Sequence, residues 1–297
     1  MTEDRAYRSP EAFRRALTDR LRELARSSRW TLPQLQRQIA YDRLLARLYA
    51  EDQGWVLKGA AALLARQIGV RATIDVDLYR DRERAEAESE LRSAAARDMG
   101  DWFRFELGPS RALGDTPGLR VPVTAYVGAA VWVAFHVDLV GSDVRTTGQP
   151  EGVPPLAGVS MPDLVQRGYR AYPLADHVAD KVMAILQRFG EQQLPSTRYR
   201  DLVDLVAIAT TASVAADAVL TALTSEAERR DLRLPAQFDV PDRQLWERGY
   251  AAEAARSLLP SARELDEALA LVRRFVDPIL VGSARGEWDP AAGRWTG

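Results

Sequence analysis

Cysteine is absent from the 297 residues, which excludes disulfides, thiolate zinc sites and a cysteine nucleophile. No run of about 18 apolar residues occurs, so a membrane span is not expected. The N-terminal stretch Met-Thr-Glu-Asp-Arg lacks the apolar centre of a signal peptide. Together these absences lead to the expectation of a cytoplasmic protein. Lysine is nearly missing too: of 40 lysine and arginine residues, only Lys58 and Lys181 are lysine. Excess positive charge is lacking as well. A formal net charge of −2 argues against broad coating of nucleic acid, while leaving room for a local basic patch. What remains is 46% hydrophobic and 28% charged, the balance of a globular chain long enough for one large domain or two.

The most informative stretch is residues 55 to 79. Trp55-Val56-Leu57 is a short apolar run that delivers Lys58 and Gly59, and Ala60 to Gln67 has helical propensity. Thr73 to Tyr79 alternates and reads as a strand. On it Asp75 and Asp77 stand at i and i+2, on one face and roughly 7 Å apart at Cα. Two like charges that close are costly unless a cation neutralises them, and hard oxygen donors select Mg2+, Mn2+ or Ca2+. The plainer alternative is a half-exposed strand whose aspartates face water. Lys58 weighs against it, because an arginine-using chain has kept a compact point charge there.

The rest of the chain has a clear order. Ser9-Pro10-Glu11 starts a helix that runs to about Ala25, and a second covers Pro33 to Tyr49. Their arginine-dense outer faces read as solvated surface, with an RNA contact as the alternative. Asp81 to Met99 is a charged helix. Three β-like runs follow, Trp102 to Leu107, Leu119 to Val127 and Val131 to Val140, the last two joined by a hairpin turn at Gly128. Asp138 is a lone carboxylate in the last run, either an edge-strand residue or a third ligand beside Asp75 and Asp77. His136, two residues away, is given no role. Gly141 to Pro162 reads as a linker or long loop. Helical patterns then cover Leu174 to Phe189, Tyr199 to Thr211, Val214 to Arg230, Arg243 to Leu258 and Ser261 to Val276. The expected division is 1–160, the N-terminal helices and catalytic core, and 161–297, a helical domain completing the site. The tail from Gly282 reads as weakly structured.

Leu57-Lys58-Gly59-Ala60-Ala61-Ala62-Leu63 followed by Arg71-Ala72-Thr73-Ile74-Asp75-Val76-Asp77-Leu78 resembles the signature of the AbiEii toxin family, which includes the mycobacterial MenT toxins. Asp180-Lys181, Arg188, Arg200-Asp201-Leu-Val-Asp204-Leu and Arg274 to Pro278 continue the resemblance over roughly residues 30 to 280. It implies an α/β fold: a DNA-polymerase-β-like nucleotidyltransferase core, a mixed sheet with helices, followed by a mainly helical C-terminal region. It implies transfer of a nucleotide from an NTP, with Mg2+ or Mn2+, to the 3′ end of tRNA, and a cognate antitoxin as partner.

Carried over, Asp75 and Asp77 are the metal pair, with Asp138 as a third metal carboxylate that assists deprotonation of the acceptor. Lys58, Lys181 and Asp204 match other catalytic positions. Lys58, Gly59, Thr73 and Lys181 fall to nucleotide binding. Ala60 and Ala61 depart from the family pattern, which has a second glycine and then a serine or threonine there; this leaves the nucleotide choice open. Other readings are a nucleotidyltransferase acting on a small molecule or protein hydroxyl, and a fold that binds nucleotide without turnover. Nothing demands more than a monomer.

Overall fold

The computed structural model describes residues 6–50, 54–113, 118–142 and 146–297. The N-terminal pentapeptide and part of the Gly/Pro-rich segment, residues 143–145, lie outside them. The chain divides into two compact units. One comprises 1–66, 73–145 and 151–171, the other 67–72, 146–150 and 172–297.

In the first unit, helix α1 (Pro10–Ser27) starts where Ser9-Pro10 directs, with the Ser9 hydroxyl accepting the Ala12 N–H at 3.2 Å. Its stripe of Phe13, Leu17 and Leu21 is fully buried. Helix α2 (Leu32–Leu48) opens with the Gln34 side chain accepting the Thr31 N–H. Helices α3 (Gly59–Ala65) and α4 (Arg84–Ala95) follow in this unit. Among the described residues the sheet has eight strands: β1 (Trp55–Lys58), β2 (Asp75–Arg80), β3 (Phe103–Leu107), β4 (Arg111–Ala112), β5 (Leu119–Val127), β6 (Ala130–Val140), β7 (Glu151–Val153) and β8 (Tyr169–Ala171). They lie in the order β3-β5-β6-β2-β1-β8-β7, with β4 on β5. The sheet is mixed: β2 with β6 and β1 with β8 are parallel, and the other pairs are antiparallel.

The two faces of the central strands differ because their side chains alternate. Val76, Leu78, Val137 and Leu139 are fully buried in the core shared with α1 and α2, each contributing about 1.5–3 kcal/mol by burial. Asp75, Asp77, His136 and Asp138 take the alternate positions and stay half-buried. β5 and β6 form the expected hairpin, with Gly128 turning at φ +61°.

The later part of the segment read as a linker, from 151, and the residues just after it are bound into this unit. Asp42 of α2 accepts the N–H groups of Leu156 and Ala157, both at 2.9 Å, and the Tyr169 hydroxyl at 2.8 Å. Arg43 donates to the Val165 carbonyl at 2.6 Å. Buried charges of α2 need partners, and the loop backbone supplies them. Composition alone could not reveal this, since both partners are far apart in sequence.

The second unit is helical: α5 (Leu174–Leu186), α6 (Tyr199–Thr211), α7 (Ala216–Arg229), α8 (Arg243–Arg256) and α9 (Leu265–Leu280), with a short β9 (Arg188–Phe189)–β10 (Leu194–Pro195) hairpin. The tail is ordered, against expectation. It forms a β11 (Trp288–Asp289)–β12 (Arg294–Trp295) hairpin whose indoles pack on Phe275, with ring centroids 5.0 and 5.6 Å away. The Trp288 indole N–H donates to the Ala209 carbonyl at 2.7 Å. Large aromatic area anchors a segment whose polar, Gly-containing composition reads as loop. Trp288→Ala is expected to cost about 3–5 kcal/mol in urea unfolding. A loss below about 1 kcal/mol would mean that the tail is not part of the core.

Candidate active site

Strand register assembles the first group of predicted residues. Lys58 pairs with Asp77 across β1 and β2, Asp77 with Asp138 across β2 and β6, and Asp138 with Arg120 across β6 and β5. Register partners share a face, so four adjacent strands carry a row of cation, carboxylate, carboxylate, cation. Asp75, one pleat away on β2, pairs with His136.

Arg120 dominates the electrostatics of this row. Its Nε lies 2.7 Å from Asp138 Oδ1 and its Nη2 lies 2.5 Å from Oδ2, a bidentate clamp. Nη2 is also 3.7 Å from Asp75 Oδ2. The Asp138 hydrogen bonds, with the charges of Asp138, Asp75 and Asp77, raise the guanidinium above its ordinary value despite partial burial. Asp75 Oδ1 is buried and accepts no hydrogen bond; His136 Nδ1 stands 3.4 Å away. The Thr73 hydroxyl donates to the Asp75 carbonyl at 2.9 Å and accepts its N–H at 3.2 Å, so it fixes the entry into β2.

Gly59 is nested against this row. Its φ is +59°, and a Cβ there would lie 1.8 Å from Asp77 Oδ2. Only glycine satisfies both the backbone conformation and the contact. Ala60 and Ala61, which depart from the family pattern, are buried in α3, Ala61 completely. The close packing of a short helix on the sheet suits these small side chains.

As donors, Asp75 and Asp77 suit a hard divalent cation, and the unpartnered Asp75 Oδ1 is an oxygen in need of one. Asp138 is differently placed, because Arg120 holds both its oxygens. Among the described residues, no three His, Asp or Glu side chains stand arranged as a ready metal cage.

The second unit holds the other predicted pair. Lys181 on α5 is buried, with Nζ 2.9 Å from Asp201 Oδ1 and 2.6 Å from Asp204 Oδ2, both on α6. Arg71 grips Asp204 through Nε at 2.9 Å and Nη2 at 2.8 Å. Burial pushes the Asp204 carboxyl up, but the charges of Lys181 and Arg71 outweigh it and hold the group at about 2. For Lys181, burial acts downward and the two aspartates more than reverse it, so the ammonium is raised.

Arg71 and Arg120 carry no role that the sequence motifs alone point to. Arg71 sits in the quoted motif. Arg120 carries the same signal as Asp138, a single charge in an apolar strand, and its partner is visible only through register.

A carboxyl lowered in the fold contributes stability above its unfolded value of about 3.8 and loses it as pH falls through about 2. The shift corresponds to about 2 kcal/mol. Between pH 4.5 and 2, Asp204→Asn is therefore expected to flatten the acid loss of stability by about that amount in urea titrations. An unchanged pH slope would contradict the ion network. Lys181→Met, which leaves Asp204 to Arg71 alone and Asp201 with only Arg198 at 3.7 Å, is expected to cost about 3 kcal/mol at pH 7.

The family described as Nucleotidyl transferase AbiEii toxin, Type IV TA system, matches residues 43–281. Among solved structures the chain is similar to MenT4, a nucleotidyltransferase toxin from Mycobacterium tuberculosis H37Rv. That match has 17% identity and a TM-score of 0.50, and it covers 91% of this chain and 99% of that one. It is also similar to JHP933 from Helicobacter pylori, at 15% identity and a TM-score of 0.47, over 82% and 94% of the respective chains. No curated protein matches it in sequence. The likeness to MenT4 concerns the fold, a mixed α/β nucleotidyltransferase architecture. The family match spans most of the chain and contains every site residue described above, from Lys58 to Asp204: the chain belongs to the AbiEii nucleotidyltransferase toxin family.

Proposed function

We propose that this chain transfers a nucleotide from an NTP to the 3′ end of tRNA, with Mg2+ or Mn2+, as a cytoplasmic, monomeric toxin neutralised by a cognate antitoxin. The observation that carries the reading is the Asp75–Asp77 pair on β2, with its unpartnered buried oxygen and Gly59 nested against it.

In this reading Asp75 and Asp77 hold the metal, with Asp138 as the third carboxylate. A divalent cation bound there supplies charge neutralisation for the triphosphate and Lewis acidity toward the acceptor oxygen. Lys58, in register beside Asp77, offers the triphosphate a compact point charge. Gly59 lets backbone come close to phosphate, with no side chain in the way. The acceptor 3′ oxygen bonds to the α-phosphorus while the bond to pyrophosphate breaks, and Asp138 takes the proton of the attacking hydroxyl. Thr73 supports nucleotide binding indirectly, by setting the entry of β2. Lys181 is the second lysine that the family resemblance assigns to the nucleotide; in its own unit it is bound to Asp201 and Asp204, and the Asp204 carboxylate stays ionised throughout the neutral range.

The test incubates the protein with Mg2+, each α-labelled NTP in turn and total tRNA, beside Asp75→Ala. Label is expected on tRNA with the wild type, with at least about a hundredfold loss in the variant. Absence of transfer by a folded wild type with any NTP would overturn the tRNA reading.

A further inference from the structure

The row on the sheet contains one charge that nucleotidyl transfer does not use. Arg120 commits its fork to Asp138 and reaches toward Asp75. The same chemistry occurs elsewhere in this unit with a different character. Arg43 and Arg47 bind Asp101 at 2.5 and 2.7 Å with all three side chains at most 2% exposed, a pin that holds α2 to the turn before β3. Arg120 is 29% exposed and Asp138 12%. A guanidinium with that access can leave its partner without unfolding the strands, whereas the Arg47 pair cannot.

We propose that Arg120 is a placeholder cation for the carboxylate cluster: it neutralises Asp138 until a divalent ion binds, then releases at least one carboxylate oxygen so that Asp138 joins Asp75 and Asp77 as a ligand. This rests on the metal role proposed above for the aspartates. Three arguments support it. Adjacent strands stand about 4.8 Å apart, so Asp77 and Asp138 are strong mutual repellers and need a cation between or beside them. An arginine is charged at every working pH, so it holds the cluster together where a titrating group would not. The bidentate grip also takes both oxygens of Asp138, which accounts for the lack, among the described residues, of a ready three-ligand cage beside the Asp75 oxygen that accepts no hydrogen bond. Arg120 is thus a positioning residue that competes with the metal.

The experiment is Mn2+ titration of the full chain, followed by electron paramagnetic resonance, with thermal unfolding in the absence and presence of Mn2+. Arg120→Gln is expected to bind Mn2+ about tenfold more tightly than the wild type, a gain of about 1.4 kcal/mol. Without metal it should melt lower, and it should gain more Tm on adding Mn2+. Arg120→Lys keeps the charge and loses the fork; it is expected to bind about threefold more tightly, and it decides the matter if the glutamine variant does not fold. Asp138→Asn should abolish the gain when combined with either variant. A purely structural role for Arg120 would weaken Mn2+ binding in both variants, and unchanged or weaker binding, with a wild type that binds, overturns the proposal. If neither the wild type nor any Arg120 variant binds Mn2+, the metal reading itself fails.

Discussion

The in-register parallel pairing of β2 with β6 is the constraint on which the candidate site depends. It sets Asp77 beside Asp138 and Asp75 beside His136, although some sixty residues separate the strands. Because side chains alternate along a strand, a slip of one residue would turn all these groups into the core and bring Val76 and Val137 out. The apolar face therefore guards the polar one. Burial of Val76, Leu78, Val137 and Leu139 makes the slip expensive, and the carboxylates are held where they are by residues that do no chemistry.

Placing carboxylates together costs energy, and this chain meets the cost with cations of two kinds. In the half-exposed row on the sheet, Lys58 and Arg120 flank Asp77 and Asp138. In the second unit, Lys181 and Arg71 enclose Asp204 in a buried network that holds its carboxyl near 2. Solvent access separates their consequences. A deeply buried pair is a fixed part of the fold, because removing either partner leaves an uncompensated charge. A partly exposed pair can exchange partners, which is what the proposed uptake of metal and triphosphate would require.

Much of this was legible from local pattern. The capped start of α1, the two-residue alternation of β2, β5 and β6, and the five long helices of the second unit all follow from spacing and propensity, which act over a few residues. The same holds for the candidates Lys58, Asp75, Asp77, Asp138, Lys181 and Asp204, each an unusual charge in an apolar or motif setting. Segments governed by distant partners were not legible. Residues 141–162 read as a linker, but within them Glu151–Val153 form β7, and Leu156 and Ala157 are tied to α2 by Asp42. The tail beyond Gly282 reads as loose but is anchored by Trp288 and Trp295.

By itself, then, the sequence determined which residues carry charge inside apolar elements, which faces of helices and strands are buried, and the family signature around Lys58 and Asp75. Tertiary structure alone decided who neutralises whom: that Arg120 holds Asp138, that Arg71 and Lys181 share Asp204, and that Gly59 nests on Asp77. The reason is physical. Periodicity and propensity act between near neighbours in the chain, while strand register and ion pairing act between groups that meet only when the fold closes.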